Sequence, residues 1–255
     1  MFIPLHDANS LEHINRQYVT LGLIAINIVV FLATGLGGQS FLQQNAYGLG
    51  LTPVVLSDGQ PTPPFVYVPE LATYVTYAFL HADIWHLGGN MLFLWVFGDN
   101  VEDALGHLKF LLFYLLCAAA GAWLHGFLLP GSNVPLIGAS GAVAGIVAAY
   151  LILHPRVKVW VLVLMRLPLR LPAFIPLLFW VGFQVVMFLA SDGEAVSWPA
   201  HVGGIVAGAV LVCFMRRRGV PLFDRQIVTP DAVETTTEPS DEPTRKQSQM
   251  RWGRQ

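Results

Sequence analysis

Six apolar stretches dominate the chain, running from about 18 to 36, 86 to 99, 108 to 129, 140 to 154, 172 to 190 and 199 to 215. Each approaches the ~20 residues with which a helix crosses a hydrocarbon core of about 30 Å, and the second and fourth are the shortest. The pattern predicts an all-α membrane protein, a six-transmembrane-helix bundle whose short fourth helix starts mid-membrane. A polar lead, residues 1–17, precedes the six-helix domain at 18–217, and residues 218–255 follow it as a polar, Pro-containing tail expected to be disordered. The lead has no small-residue cleavage signature, so the first stretch is expected to be an anchor and not a removable signal.

Composition agrees with the pattern. Of 255 residues, 55% are hydrophobic and 12% charged, and the mean hydropathy is +0.58. The formal net charge of -2 offers no basic footprint for a nucleic-acid partner. Cys117 and Cys213 both fall in apolar runs, which argues against a disulfide framework.

Basic residues set the orientation. Arg16, Lys109, Arg156, Lys158, Arg166, Arg170 and Arg216 to Arg218 flank alternate ends of the stretches, while residues 37–85, 130–139 and 191–198 contain no Lys or Arg. By the positive-inside tendency both termini are cytoplasmic. The expected compartment is a bacterial inner membrane. The first outer loop mixes Gly and Pro breaks with aromatic residues and is expected to lie partly in the interface.

Polar side chains inside spans are functional candidates. Counted at 1.5 Å per residue from the cytoplasmic ends, Ser140 lies about 21 Å up from His154, His201 about 22 Å from Arg216, and His86 about 20 Å from Asp99. All three share one level, about 10 Å below the outer surface of the core. Gly141 and Gly145 in the fourth stretch, and Gly204 and Gly208 in the sixth, form GxxxG patterns that let helix backbones approach closely. Close approach is what a serine–histidine hydrogen bond requires.

A serine hydroxyl becomes a strong nucleophile when a neutral imidazole takes its proton. Ser140 also opens its helix, where unpaired N–H groups favour a developing oxyanion. His86 and Asn90, four residues apart on one helical face, can both donate to that oxyanion. Each of these signals alone has a plain structural explanation; their coincidence at one depth is what points to chemistry. Asp192 and Glu194, the nearest outer-loop carboxylates, precede His201 by seven or more residues, so a Ser-His dyad is expected rather than a triad.

The segments HADIWHLGGNMLFLWVFGDNVED, GASGAVAG and AHVGG, in that order across residues 70–212, resemble the rhomboid family of intramembrane serine proteases. The resemblance implies a rhomboid-like bundle with Ser140 as nucleophile, His201 as general base, and His86, Asn90 and Gly138 around the oxyanion. It implies no cofactor and no metal, and as partners membrane lipid and transmembrane protein substrates. Trp180 and Gln184 fit the family's fifth helix. Trp180 and Phe183 are expected to form a side gate there, under a movable cap at SDGEAVSW. Two positions depart from the family pattern. Ala72 and Thr73 stand where a Trp-Arg pair is frequent, and Ala144 stands where a ring can pack on the histidine, so His201 needs a different ring or is held less tightly.

Other classes fit less well. A polytopic transporter would place carboxylates within the spans or pair broken helices in matching halves. A metalloprotease using His81, His86 and His201 would need an H-E-x-x-H arrangement. A catalytically inactive rhomboid-like protein that binds membrane clients would have no need of both Ser140 and His201.

Overall fold

Helices fill all six apolar stretches of the computed structural model, which describes residues 2–35, 37–57, 67–190 and 196–224. The first is α1 (Tyr18–Gly35). Three short helices follow in the connection to the second apolar stretch, α2 (Gly38–Leu49), α3 (Pro53–Ser57) and α4 (Thr73–Thr76). The remaining five are α5 (Ile84–Leu105), α6 (His107–Leu128), α7 (Ser140–Leu153), α8 (Phe174–Ala190) and α9 (Trp198–Met215). Among the described residues α1, α6 and α9 are long and apolar enough to cross a membrane, and α7 and α8 are shorter apolar helices. Large apolar side chains such as Val29, Leu112, Phe179 and Phe214 face outward. A helix exposed yet apolar on its outer side belongs in lipid.

α7 sits at the centre, buried along most of its length. The glycines explain how. A methyl group on Gly204 would collide with the backbone carbonyl of Gly141, and one on Gly208 with that of Gly145. A Cβ on Gly121 of α6 would lie 2.6 Å from the Ala200 carbonyl, and one on Gly203 of α9 would lie 2.7 Å from the Ala120 carbonyl. Helices α6, α7 and α9 therefore meet backbone to backbone, as the paired GxxxG patterns require.

α5 is longer than its apolar stretch. It runs on through Asp99, Asn100, Glu102 and Asp103, because Asn100 and Asp103 have partners in the lead and Glu102 has partners at the start of α1. The Glu102 carboxylate accepts from the N–H groups of Val19 (3.0 Å) and Thr20 (2.8 Å) and from Thr20 Oγ1 (2.6 Å), capping the start of α1. The Asp103 carboxylate accepts from the N–H groups of Glu12, His13 and Ile14.

The expected all-α architecture needs one correction: the chain is mostly helical, with a three-stranded antiparallel sheet in the order β1 (Phe2–Asp7), β2 (Lys158–Val163), β3 (Leu167–Pro172). Val159 and Val161 point inward while Trp160 between them is exposed, a period of two within a basic connection. Asp7, at the far end of β1, is buried and accepts from Asn100 Nδ2 (2.8 Å) and from the Tyr150 hydroxyl (2.7 Å).

After α9 the chain turns back. The N–H groups of Phe223 and Asp224 donate to the carbonyls of Ile152 (2.7 Å) and Leu153 (3.0 Å), satisfying the end of α7. The rest of the tail, expected to be disordered, lies outside the described residues.

Candidate active site

Ser140 is the first residue of α7 and is half-buried. No side chain caps this helix, and its first intrahelical bond runs from the Val143 N–H to the Ala139 carbonyl (3.0 Å). The N–H groups of residues 140–142 thus lack helical partners and carry the positive end of the helix dipole.

His201 lies in the first turn of α9. Ser197 begins that helix by accepting from the Ala200 N–H (3.2 Å), and His125 of α6 holds the same Ser197 hydroxyl at 2.7 Å. The His201 ring packs against two tryptophans: Trp198 meets it edge-on (centroids 5.7 Å apart, 90°) and Trp180 of α8 stacks on it (6.5 Å, 28°). These rings do what Ala144 cannot. His201 Nδ1 lies 2.8 Å from Oε1 of the buried Gln184, an acceptor, so Nδ1 carries the proton and donates it. That tautomer leaves the Nε2 lone pair free to act as a base.

The contacts bring the regions of Ser140 and His201 together. The Ala200 carbonyl lies 3.2 Å from where a Cβ of Gly141 would stand, so the immediate neighbours of His201 and Ser140 touch across the α7–α9 seam. Among the described residues the Ser140 hydroxyl has no hydrogen-bond partner, and no direct bond joins it to His201.

His86 enters from α5. Asp83 caps that helix, accepting from the N–H groups of Trp85 (2.8 Å) and His86 (2.9 Å), and the His86 N–H bond chiefly holds its carboxyl below the usual range. Gly138 lies directly under the His86 ring: at φ +119° it adopts a conformation that favours glycine, and a Cβ there would sit 2.6 Å from ring atoms Cε1 and Nε2. The Gly138 N–H donates to the Tyr77 carbonyl (2.9 Å). His86 and His201 are close enough to interact electrostatically. Asn90 is buried and donates one amide hydrogen to the His86 carbonyl (3.0 Å), keeping a second donor.

The expected gate pair separates. Phe183 is about half exposed and packs edge-on against Trp198 (5.8 Å), whereas Trp180 bridges His201 and Phe93 of α5 (5.7 Å). Asp192, Glu194 and most of the expected cap lie outside the described residues. Sequence reasoning gave Gln184 no role, although its position one turn after Trp180 places both on one face of α8. It also missed Tyr77, whose hydroxyl donates to the Ala118 carbonyl (2.9 Å) beside Gly141. Among the described residues no three His, Cys, Asp or Glu side chains are grouped to hold a metal ion.

Residues 68–218, more than half of the chain, match the family model of the rhomboid domain. The chain belongs to the rhomboid family. It is 31% identical over 153 residues to rhomboid protein 1, mitochondrial, of Saccharomyces cerevisiae, covering 56% of this chain and 42% of that protein. It is 26% identical over 223 residues to RHOMBOID-like protein 12, mitochondrial, of Arabidopsis thaliana, covering 81% and 61%. Rhomboid-like protease 3 of Toxoplasma gondii is 31% identical over 157 residues, covering 59% and 56%. This rhomboid chain thus spans about half the length of the curated relatives it matches. Two of the three are named as mitochondrial, and none supports the bacterial inner membrane expected above.

Proposed function

We propose that this rhomboid chain is an intramembrane serine endopeptidase that cleaves transmembrane or membrane-apposed proteins through a Ser140–His201 dyad. Helices α1, α5, α6, α7, α8 and α9 cross the membrane with both termini cytoplasmic, and α7 starts about 10 Å below the outer surface. The observation that carries the proposal is the hydrogen bond from His201 Nδ1 to Gln184 Oε1 (2.8 Å). It orients a neutral imidazole, in the tautomer a base needs, on the helix whose neighbouring residue touches the start of α7. The relative named as a protease supports the same reading.

The steps follow from that arrangement. Ser140 Oγ attacks the scissile carbonyl as His201 Nε2 takes its proton. The oxyanion that forms meets the free N–H groups at the start of α7, with His86 and Asn90 as further donors. When the intermediate collapses, the C–N bond breaks and the amine leaves with the proton from His201. An ester on Ser140 remains, and water activated by His201 hydrolyses it, returning the proton to the serine. Phe183 on the loosely packed α8 lines the side through which an unwound substrate segment enters.

A fluorophosphonate probe and a transmembrane reporter substrate, both in proteoliposomes, test this. The wild-type protein should label at Ser140 and cleave, while folded Ser140→Ala and His201→Ala variants do neither. A folded wild-type protein that neither labels nor cleaves is instead a client-binding rhomboid-like protein, and full cleavage by Ser140→Ala removes the dyad.

A further inference from the structure

The β2–β3 hairpin, residues 158–172, is built unlike a solvent-facing turn. Its tip exposes Leu164 and Met165, each at 74%, with Leu167 at 56%. Leu164 and Met165 also hold left-handed backbone conformations, φ 51° and 56°, where Asn or Gly would be favoured. Two large apolar side chains stand in strained positions and touch no core.

The tip is also raised towards the bilayer interior. At one end of the sheet, Asp7 pairs with Val159 and bonds Asn100 and Tyr150 at the cytoplasmic ends of α5 and α7. At the other, Phe2 pairs with Val163, next to the tip, and its ring lies 6.2 Å from Phe93. Phe93 is six residues before Asp99 along α5, about 9 Å nearer the membrane centre. The sheet therefore climbs the flank of α5, and its tip reaches the depth at which interfacial segments bury apolar side chains.

Charge completes the pattern. Arg166 stands at the tip, Arg170 part-way along β3, and Lys158 and Arg156 at the base of the hairpin, and no acidic residue occurs between His154 and Phe174. Among the described residues none of the four is in an ion pair, the two that form being His13–Asp103 and His107–Glu102. Trp160 stands opposite Arg170 on the sheet's outer face, a ring and a cation suited to the headgroup level.

We propose that this hairpin binds anionic phospholipid of the cytoplasmic leaflet, with Leu164, Met165 and Leu167 at the acyl boundary and the four cations on headgroup phosphates. The long Arg166 side chain snorkels outward from the tip. Because β3 ends at Pro172 and α8 begins at Phe174, the bound lipid fixes the cytoplasmic end of α8. The inference rests on the membrane topology proposed above and not on the chemistry at Ser140.

The test uses the full chain with Cys213→Ser, which leaves only the buried Cys117, and a nitroxide at Met165→Cys. In vesicles of phosphatidylcholine with phosphatidylglycerol, the label should be more accessible to oxygen than to a water-soluble nickel complex. Spin-labelled phosphatidylglycerol should associate in preference to spin-labelled phosphatidylcholine. That preference should fall about fivefold for each cation changed to Gln at 156, 158, 166 and 170. A nickel-accessible tip, or a preference unchanged in the quadruple variant, overturns the proposal. A wrong topology is read separately, because single cysteines at Asn133 and Arg218 should react with an impermeant thiol reagent from opposite sides.

Discussion

His201 and Gln184, on α9 and α8, are joined by a buried 2.8 Å hydrogen bond through the imidazole Nδ1. On the proposed dyad, Gln184 is a positioning residue for the base. Gln184→Ala should lower kcat on the order of tenfold or more, part of the 10²–10⁴ that general-base catalysis supplies. Gln184→Glu places a carboxylate on Nδ1, stabilises the imidazolium and moves the acid limb of the kcat/KM profile to higher pH. A purely structural role would lower activity without moving the limb.

Gly138→Ala forces a side chain into a φ of +119° and against the His86 ring. The strain should destabilise the protein by about 1–3 kcal/mol. Displacing His86 should lower kcat more than it changes KM, because an oxyanion donor acts mainly on the transition state. Steady-state kinetics together with thermal unfolding separate the two effects.

Trp180 and Phe183 should respond in opposite directions. Phe183→Ala trims a half-exposed ring on the outer side of α8 and should speed cleavage of a membrane-embedded substrate. Trp180→Ala removes the ring stacked on His201 and should slow cleavage of embedded and soluble substrates alike. Parallel rates with both substrates distinguish a gate from a support.

Gly204→Ala puts a methyl group into the Gly141 backbone at the centre of the α7–α9 seam. Overpacking there should cost about 1–3 kcal/mol or more, since backbone cannot rotate away as a side chain can. The expected result is a lower unfolding temperature in detergent. Gly182→Ala, with open space around the added methyl, is the neutral control.

Docking of β1 should depend on pH. Burial pushes the Asp7 carboxyl from 3.8 up to about 7; the Tyr150 hydrogen bond opposes this and repulsion from Asp99 of α5 adds to it. The docked strand therefore binds the proton more tightly than the released strand. Docking is strongest below about pH 4 and weakens as pH rises through about 7. Asp7→Asn should abolish the dependence. Electron-spin distances between labels at Leu5 and Leu108, followed from about pH 5 to 8, should broaden on the alkaline side in the parent but not in Asp7→Asn.

Much of this protein was legible along the chain. Helices occupy all six apolar stretches, five of them with ends within two residues of those expected, while α5 runs on to Leu105. GxxxG spacing on two stretches announced the α7–α9 seam, because close backbone contact needs nothing but missing side chains. What the chain could not show were contacts between residues far apart in it. The extension of α5 through Asp99 to Asp103 depends on N–H groups of residues 12 to 20 that satisfy buried carboxylates. The strand at residues 2–7 exists because β2 offers it an edge. Gln184 as the support of His201, and Trp180 as its stacked ring, arise where α8 meets α9. A hydrogen bond or a ring contact is set by distance in space, and only the packed helices determine that distance.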